Sequence, residues 1–266
     1  VRFCAIRTFI KNNLLTSMAR FVQDATGGAM SFMSGAIISK PERLDATAPV
    51  GPQLFRLLRG RIVRGDLTPG MRLSEVEVAA SYGTSRQPVR EAFIKLAEVS
   101  LVEVRPQRGS YVSRINVAAV LAAQFVREAV EADIVRRVAH QMTPDAVRDL
   151  DDMLAAQTDA AIQDDPQPFM ALDEAFHRKL ADLAGQGAGW DFLQPIKSQM
   201  DRVRHLSAQQ FPRRVLVQQH RHIVDAIRSG DADMAEQTMR RHLRQILEDV
   251  PVVAAARPEF FEPERI

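Results

Sequence analysis

Cysteine is almost missing from this chain: Cys4 stands alone among 266 residues, so no internal disulfide framework can form. Also missing is any run near the roughly 18 uninterrupted apolar residues that cross a bilayer, so nothing argues for a membrane protein. A secretory signal fares no better, because Arg7 and Lys11 are followed only by the short apolar pair Leu14-Leu15. Net charge is nearly absent as well, at +2, and singles out no partner by itself. These absences leave a cytoplasmic protein. Its 266 residues exceed the usual size of one domain and predict two.

The charge is small overall but unevenly placed. Residues 50–114 carry 11 Lys or Arg against 6 Asp or Glu, whereas residues 115–249 carry 16 against 21. A basic region joined to an acidic body suits a nucleic-acid surface attached to a regulatory domain. Within the basic region, Ser74-Glu75-Val76-Glu77 is a capping box that starts a short helix at Glu75. Tyr82-Gly83 ends it, since glycine tolerates the left-handed turn. Thr84 or Ser85 then caps a second helix that accommodates Pro88 in its first turn.

Val89, Phe93, Leu96 and Ala97 recur at helical spacing and face inward, leaving Arg86, Gln87, Arg90 and Glu91 outside or near the first turn. Val102 and Val104 alternate with charged residues, Pro106-Gln107-Arg108-Gly109 makes a turn, and Tyr111 and Val112 begin a returning strand. Strand, helix, turn, helix and basic hairpin form a winged helix-turn-helix. Its second helix presents its amino end to base edges, and Arg108 at the hairpin tip can enter a narrow minor groove. Solvated arginines would leave that order of motifs coincidental.

Residues 1–49, with scattered Met18, Met30 and Met33 and little periodicity, are expected to be a disordered leader, with translation starting at one of those methionines. Pro251, Pro258 and Pro263 predict an irregular tail over 251–266. Between lie six predicted helices, at 116–140, 143–163, 167–184, 189–209, 213–229 and 231–249, enough for an antiparallel bundle. Asp173 and His177 are four apart, on the helical face that carries Phe169, Phe176 and Leu180. His220 shares a stripe with Val217, Ile223, Val224 and Ile227, and His242 lies beside Met239 and Ile246.

An isolated inward histidine is usually a hydrogen-bonded core residue. Several buried imidazoles and a carboxylate, if they converge, suit a divalent cation instead, with positions left open to water or an oxyanion. Arg127 sits on an apolar stripe with Val120, Val130 and Ile134; it reads either as an ion-pair partner of Glu131 or as a pocket group. Arg204 is a second pocket candidate, Arg202 is expected to be solvated, and His205 and His222 receive no ligand role.

The pieces Leu67-Thr68-Pro69-Gly70, Leu73-Ser74-Glu75, Ser85-Arg86-Gln87-Pro88-Val89-Arg90-Glu91-Ala92 and Arg108-Gly109 resemble the DNA-binding domain of the GntR superfamily of bacterial regulators, over about residues 53–115. The segments LDEAFHRKLADLAGQ and QQHRHIVDAIRSGDADMAEQTMRRHL resemble the FCD effector domain of its FadR-type members, over about 117–249. The resemblance implies a mainly α protein: a leader at 1–49, a winged helix-turn-helix at 50–115, an all-α antiparallel bundle for effector binding and dimerisation at 116–250, and a tail at 251–266.

It further implies DNA contacts from Ser85, Arg86, Gln87 and Arg90 in the recognition helix and Arg108 and Gly109 in the wing. It implies a divalent ion, Zn²⁺ or Ni²⁺, on Asp173, His177, His220 and His242, and a small carboxylate near Arg127 and Arg204. The function implied is that of a homodimeric repressor of operator DNA controlled by that metabolite. Two positions depart from the pattern: Val76 stands where some relatives place a DNA-touching arginine, and Ser100 replaces the glycine usual before the wing. A metal-dependent hydrolase fused to a DNA-binding module, or a regulator whose metal is purely structural, stays open at this level.

Overall fold

The computed structural model describes residues 43–263. Most of the expected leader, with its three candidate start methionines, and residues 264–266 lie outside the described residues. The end of the leader is tied down: Asp45 N–H donates to Gln53 Oε1 at 2.7 Å, and Gln53 Nε2 donates to the Asp45 and Ala48 carbonyls.

Helix α1 (Val50–Arg64) aligns Leu54, Leu58 and Ile62, and stops where Gly65 takes φ 82°. Ser74 Oγ accepts from Glu77 N–H at 3.3 Å, so α2 (Glu75–Ser81) begins where the capping box places it. Gly83, at φ 63°, turns the chain into α3 (Arg86–Glu98), for which Ser85 is the N-cap residue. Val89, Ala92, Phe93 and Leu96 of α3 meet the apolar stripe of α1 in one core. Strand β1 (Arg72–Leu73), β2 (Val102–Arg105) and β3 (Gly109–Val112) form an antiparallel sheet in the order β1-β3-β2, with Val102 opposite Val112 and Arg105 opposite Gly109. This is a winged helix-turn-helix.

Seven α-helices follow among the described residues: α4 (Val117–His140), α5 (Pro144–Ala161), α6 (Gln167–Leu183), α7 (Gly187–Ile196), α8 (Ser198–Gln210), α9 (Arg214–Arg228) and α10 (Ala232–Ala256). Asn116, Thr143 and Asp231 cap three of them through side-chain oxygens, as residues of these types do. The single helix expected over 189–209 is two helices. Pro195, which has no N–H to donate, lies just before the break at Lys197, where α8 sets off separately.

The expected irregular tail is also corrected. Helix α10 continues through Pro251 because that residue faces solvent while Val250 and Val253 keep the helix's apolar face buried. A short 3₁₀ turn at Pro258–Phe260 then lets Ile115 N–H donate to the Phe260 carbonyl at 2.7 Å and Glu262 N–H to the Ile115 carbonyl at 3.0 Å. The chain end thereby covers the linker between wing and bundle.

Arg202 overturns its expected solvation. It is 1% exposed, and one NH1 hydrogen bond of 2.8 Å reaches the Ser113 carbonyl at the end of the wing. Burial pulls its guanidinium down to about 10, which still leaves it charged at neutral pH. One turn away, Gln199 donates to the Ser100 carbonyl. Helix α8 thus grips the wing from the bundle. Among the described residues no helix is long and apolar enough to cross a membrane.

Ser100 does occupy a glycine-like conformation, at φ 58°, where a Cβ crowds the following carbonyl. Ser100→Gly should therefore raise the unfolding free energy by about 1 kcal/mol, read from the urea midpoint. A lower midpoint would mean that the serine holds the turn by other means.

Candidate functional site

The outward side of the winged domain carries the residues expected to meet DNA. Ser85, Arg86, Gln87 and Arg90 are exposed at the amino half of α3, Arg108 is exposed at the hairpin tip, and Gly109 is half-buried beside it. Gly109 takes φ 103°, a backbone conformation that favours glycine, and a Cβ there would stand 3.2 Å from Arg72 Nε and push that exposed side chain aside. Tyr111 Oη donates to the Arg108 carbonyl at 3.0 Å and steadies the tip. Val76 is 57% exposed at the start of α2.

The arginines of α3 are not free side chains. Arg90 donates through Nε to Glu75 Oε1 and through NH2 to Glu75 Oε2, both at 3.1 Å, and Arg86 NH2 reaches Glu75 Oε2 at 3.1 Å. Sequence reasoning treated Glu75 only as part of a helix cap. The turn between α2 and α3 decides that it faces α3.

In the bundle, α6, α9 and α10 bring together the Nε2 atoms of His177, His220 and His242. His242 Nε2 lies 3.3 Å from both His177 Nε2 and His220 Nε2, and all three side chains are buried. The opposite ring nitrogens explain what those atoms carry. His220 Nδ1 is 2.8 Å from Gln157 Oε1, whose Nε2 is committed to the Leu172 carbonyl. His242 Nδ1 is 2.8 Å from Gln219 Oε1, whose Nε2 points to Gln245 Oε1. His177 Nδ1 lies 2.5 Å from Glu131 Oε2.

For His220 and His242 an amide oxygen faces Nδ1 and places the ring proton there, which turns their Nε2 lone pairs inward beside His177 Nε2, whereas the close approach of His177 Nδ1 to Glu131 lacks hydrogen-bond geometry. Such an arrangement fits a cation, which replaces lone-pair repulsion with coordination. Burial pushes His220 down to about 3 and His242 well below the ordinary imidazole value, despite the nearby Asp173 charge. Both rings are neutral at pH 7, as ligation requires.

Asp173, expected as a fourth ligand, stands beside the triad rather than within it, with Oδ1 3.7 Å from His220 Nε2. Its other oxygen accepts from Arg204 NH2. Burial alone would raise this carboxyl; the Arg204 guanidinium and the three surrounding imidazoles together overcome burial and hold it well below the usual carboxylate range. Glu131 likewise drops to about 2 although burial opposes it, because Arg127 and His177 face it. His205, given no ligand role from the sequence, contacts Gln167 and Gln209 and stands apart from the triad.

Arg127 forms the ion pair with Glu131 and also borders a cavity. Its Nε pairs with Glu131, while its buried NH2 has no hydrogen-bond partner. That side chain lines a cavity of about 50 Å³ together with Asp173, Arg204 and His242. By the same measure a water needs roughly 10–15 Å³, so several waters or a compact acid fit. Glu174, the carboxylate nearest in sequence to Asp173, turns away to Lys197 and Gln194 at 2.8 and 2.9 Å.

The winged domain, joined to an all-helical second domain that holds a buried imidazole cluster, defines a DNA-binding transcriptional regulator. Residues 52–112 match the family described as bacterial regulatory proteins of the gntR family, and residues 123–245 match the FCD domain. The chain belongs to the GntR family of transcriptional regulators, in the branch whose second domain is FCD. It is 39% identical over 223 residues to the HTH-type transcriptional repressor RspR of Escherichia coli K12, covering 84% of this chain and 98% of that one. It is 28% identical to a probable D-xylose utilization operon transcriptional repressor of Paenarthrobacter nicotinovorans, covering 77% and 90%.

Among solved structures, E. coli McbR/YncC shares the fold with a TM-score of 0.67 at 17% identity, covering 79% of this chain and 99% of that one. A Rhodococcus GntR protein does so with 0.63 at 24%, covering 76% and 97%. Family and relatives are regulators, so the hydrolase alternative falls.

The neutral histidines set a pH dependence for metal-free protein. Because His220 and His242 bind fewer protons folded than unfolded, stability should fall as pH drops from about 6.5 towards 4.5, above the window where Glu131 and Asp201 titrate. Urea midpoints across that range should show the slope, and His220→Gln should reduce it. A flat profile would mean that the imidazoles are not buried as described.

Proposed function

We propose that this regulator is a homodimeric, metal-containing repressor whose affinity for operator DNA changes when a small carboxylate enters the bundle. The convergence of three buried imidazole Nε2 atoms beside an unpartnered Arg127 guanidinium nitrogen carries the reading. His177, His220 and His242, with Asp173 alongside, would hold a divalent ion such as Zn²⁺ or Ni²⁺, whose Lewis acidity would help fix an oxyanion. Arg127 NH2 and Arg204 line the same cavity and would pair with the acid's remaining charge.

A route from that cavity to the DNA-binding domain is available. Arg204 reaches Asp173 with one nitrogen and lies 3.5 Å from Asp201 Oδ1 with another, while Asp201 Oδ2 accepts from Arg59 on α1 at 2.5 Å. An anion that draws Arg204 away loosens its hold on Asp201 and shifts the Arg59 pairing. Coupling of about 1–3 kcal/mol between the two sites is ordinary for such an arrangement.

At the DNA end, Arg86 and Arg90, with Ser85 and Gln87, would read bases in the major groove, while Arg108 and Gly109 would enter the flanking groove. Dimerisation would use α4. Val117, Ala118, Leu121, Ala122, Phe125 and Ala129 are all exposed on one face of this helix, with no charge among them. Phe125 alone is 74% exposed. A second copy related by a two-fold axis would cover this stripe and pair the two winged domains on a palindrome.

The test uses metal-loaded protein and a duplex that it selects from a randomised library. Small mono- and dicarboxylates should change operator affinity at least fivefold, and Arg127→Gln should abolish the response while DNA binding survives. Asp201→Asn should leave acid binding intact, by calorimetry, yet cut the change in DNA affinity. If chelation unfolds the bundle and no acid moves DNA affinity, the metal is structural only. Separately, Phe125→Glu should shift the protein to monomer in analytical ultracentrifugation; an unchanged dimer would place the interface elsewhere.

A further inference from the structure

Glu75 presents a puzzle for a surface that must approach a polyanion. Its carboxylate lies among the groups expected to touch DNA, 24% exposed, between two arginines that are 61% and 54% exposed. A role in capping does not account for this, because the cap bond of α2 runs from Glu77 N–H to Ser74 Oγ and leaves the Glu75 side chain free to turn towards α3. The carboxylate accepts three hydrogen bonds, two from Arg90 and one from Arg86.

The pattern of donors is informative. Arg90 spends its Nε and one NH2 proton on Glu75, which leaves the end of the guanidinium, NH1 and the other NH2 proton, unoccupied and pointing away. Arg86 spends only NH2. An arginine fixed along one edge can still offer two parallel donors at its end, the geometry that guanine O6 and N7 accept. The same arginine cannot readily swing to a phosphate, since that would take two of the three hydrogen bonds from Glu75 and leave it with Arg86 alone against a chain of negative charges. The amino end of α2 stabilises the Glu75 charge, and the Arg90 hydrogen bond lowers its carboxyl further although partial burial opposes it.

We propose that Glu75 is a specificity-determining residue: it orients Arg90 and Arg86 towards base edges and withholds them from the phosphate backbone. Negative charge at this point weakens binding to DNA of any sequence and sharpens the choice among sequences. The proposal rests on the reading of Arg86 and Arg90 as base contacts.

Glu75→Gln, Glu75→Asp and Arg90→Ala are compared with the wild type on two duplexes, one selected by the wild-type protein from a randomised library and one of random sequence, at several salt concentrations. Glu75→Gln should bind random duplex several-fold more tightly, with a salt slope steeper by about 0.9 for each additional phosphate neutralised. Its preference for the selected duplex should fall by about tenfold. Glu75→Asp, which keeps the charge but shortens the reach, should retain the wild-type salt slope and lose part of the preference.

Equal weakening on both duplexes would show that Glu75 acts only through the stability of α2, and unchanged preference would show that it does nothing to orient the arginines. Either result overturns the proposal while leaving the base contacts standing, provided Arg90→Ala erases the preference. Should Arg90→Ala keep the preference, the base-contact reading fails and the role of Glu75 falls with it.

Discussion

Three acceptor side chains set against the Nδ1 atoms of three buried histidines are the constraint on which the helical domain turns. Gln157, Gln219 and Glu131 come from α5, α9 and α4, and each faces the Nδ1 of one histidine. Because an imidazole has only two nitrogens, the choice of acceptor on one side decides what the other side presents. The Nε2 atoms are thereby turned towards one another in the buried interior. Phe176 stacks on His220 at 4.4 Å and Trp190 lies parallel to His177 at 6.1 Å, so aromatic walls keep the rings in place. Such a centre is costly as a piece of core and well suited as a receptor for positive charge.

Helix α8 is the second organising feature, and it works by burying charge in matched sets. Arg59, Lys197 and Arg204 face Asp173, Glu174 and Asp201 between the metal-competent cluster and α1. A buried charge that loses its partner costs several kcal/mol, a large part of what holds a domain together. Asp201 faces all three cations and Glu174 two of them, so neither carboxylate depends on a single partner. Arg202 and Gln199 on the same helix reach the wing's flanking carbonyls, so any movement of α8 is felt by the DNA-binding domain.

Much of the winged domain was legible because its signals are local. Ser74 and Glu77 lie within one helical turn, Gly83 and Gly109 sit where the backbone needs positive φ, and the inward stripe of α3 follows from spacing alone. The inward direction of Asp173, His177, His220 and His242 was legible for the same reason. Less was visible wherever a residue's surroundings come from distant segments. Arg202 looks like any surface arginine in the sequence, and only the wing folding back over α8 buries it. Pro251 looks like a helix end, yet burial of Val250 and Val253 outweighs its missing hydrogen bond.

The sequence by itself determined the order of elements, the inward faces and the kind of chemistry available, since these depend on side-chain type and helical period. Tertiary structure alone decided which ring nitrogens meet, that Arg127 keeps one nitrogen free, and that Glu75 turns towards Arg90. Those outcomes depend on distances between helices far apart in the chain, and no local spacing encodes a distance across a fold.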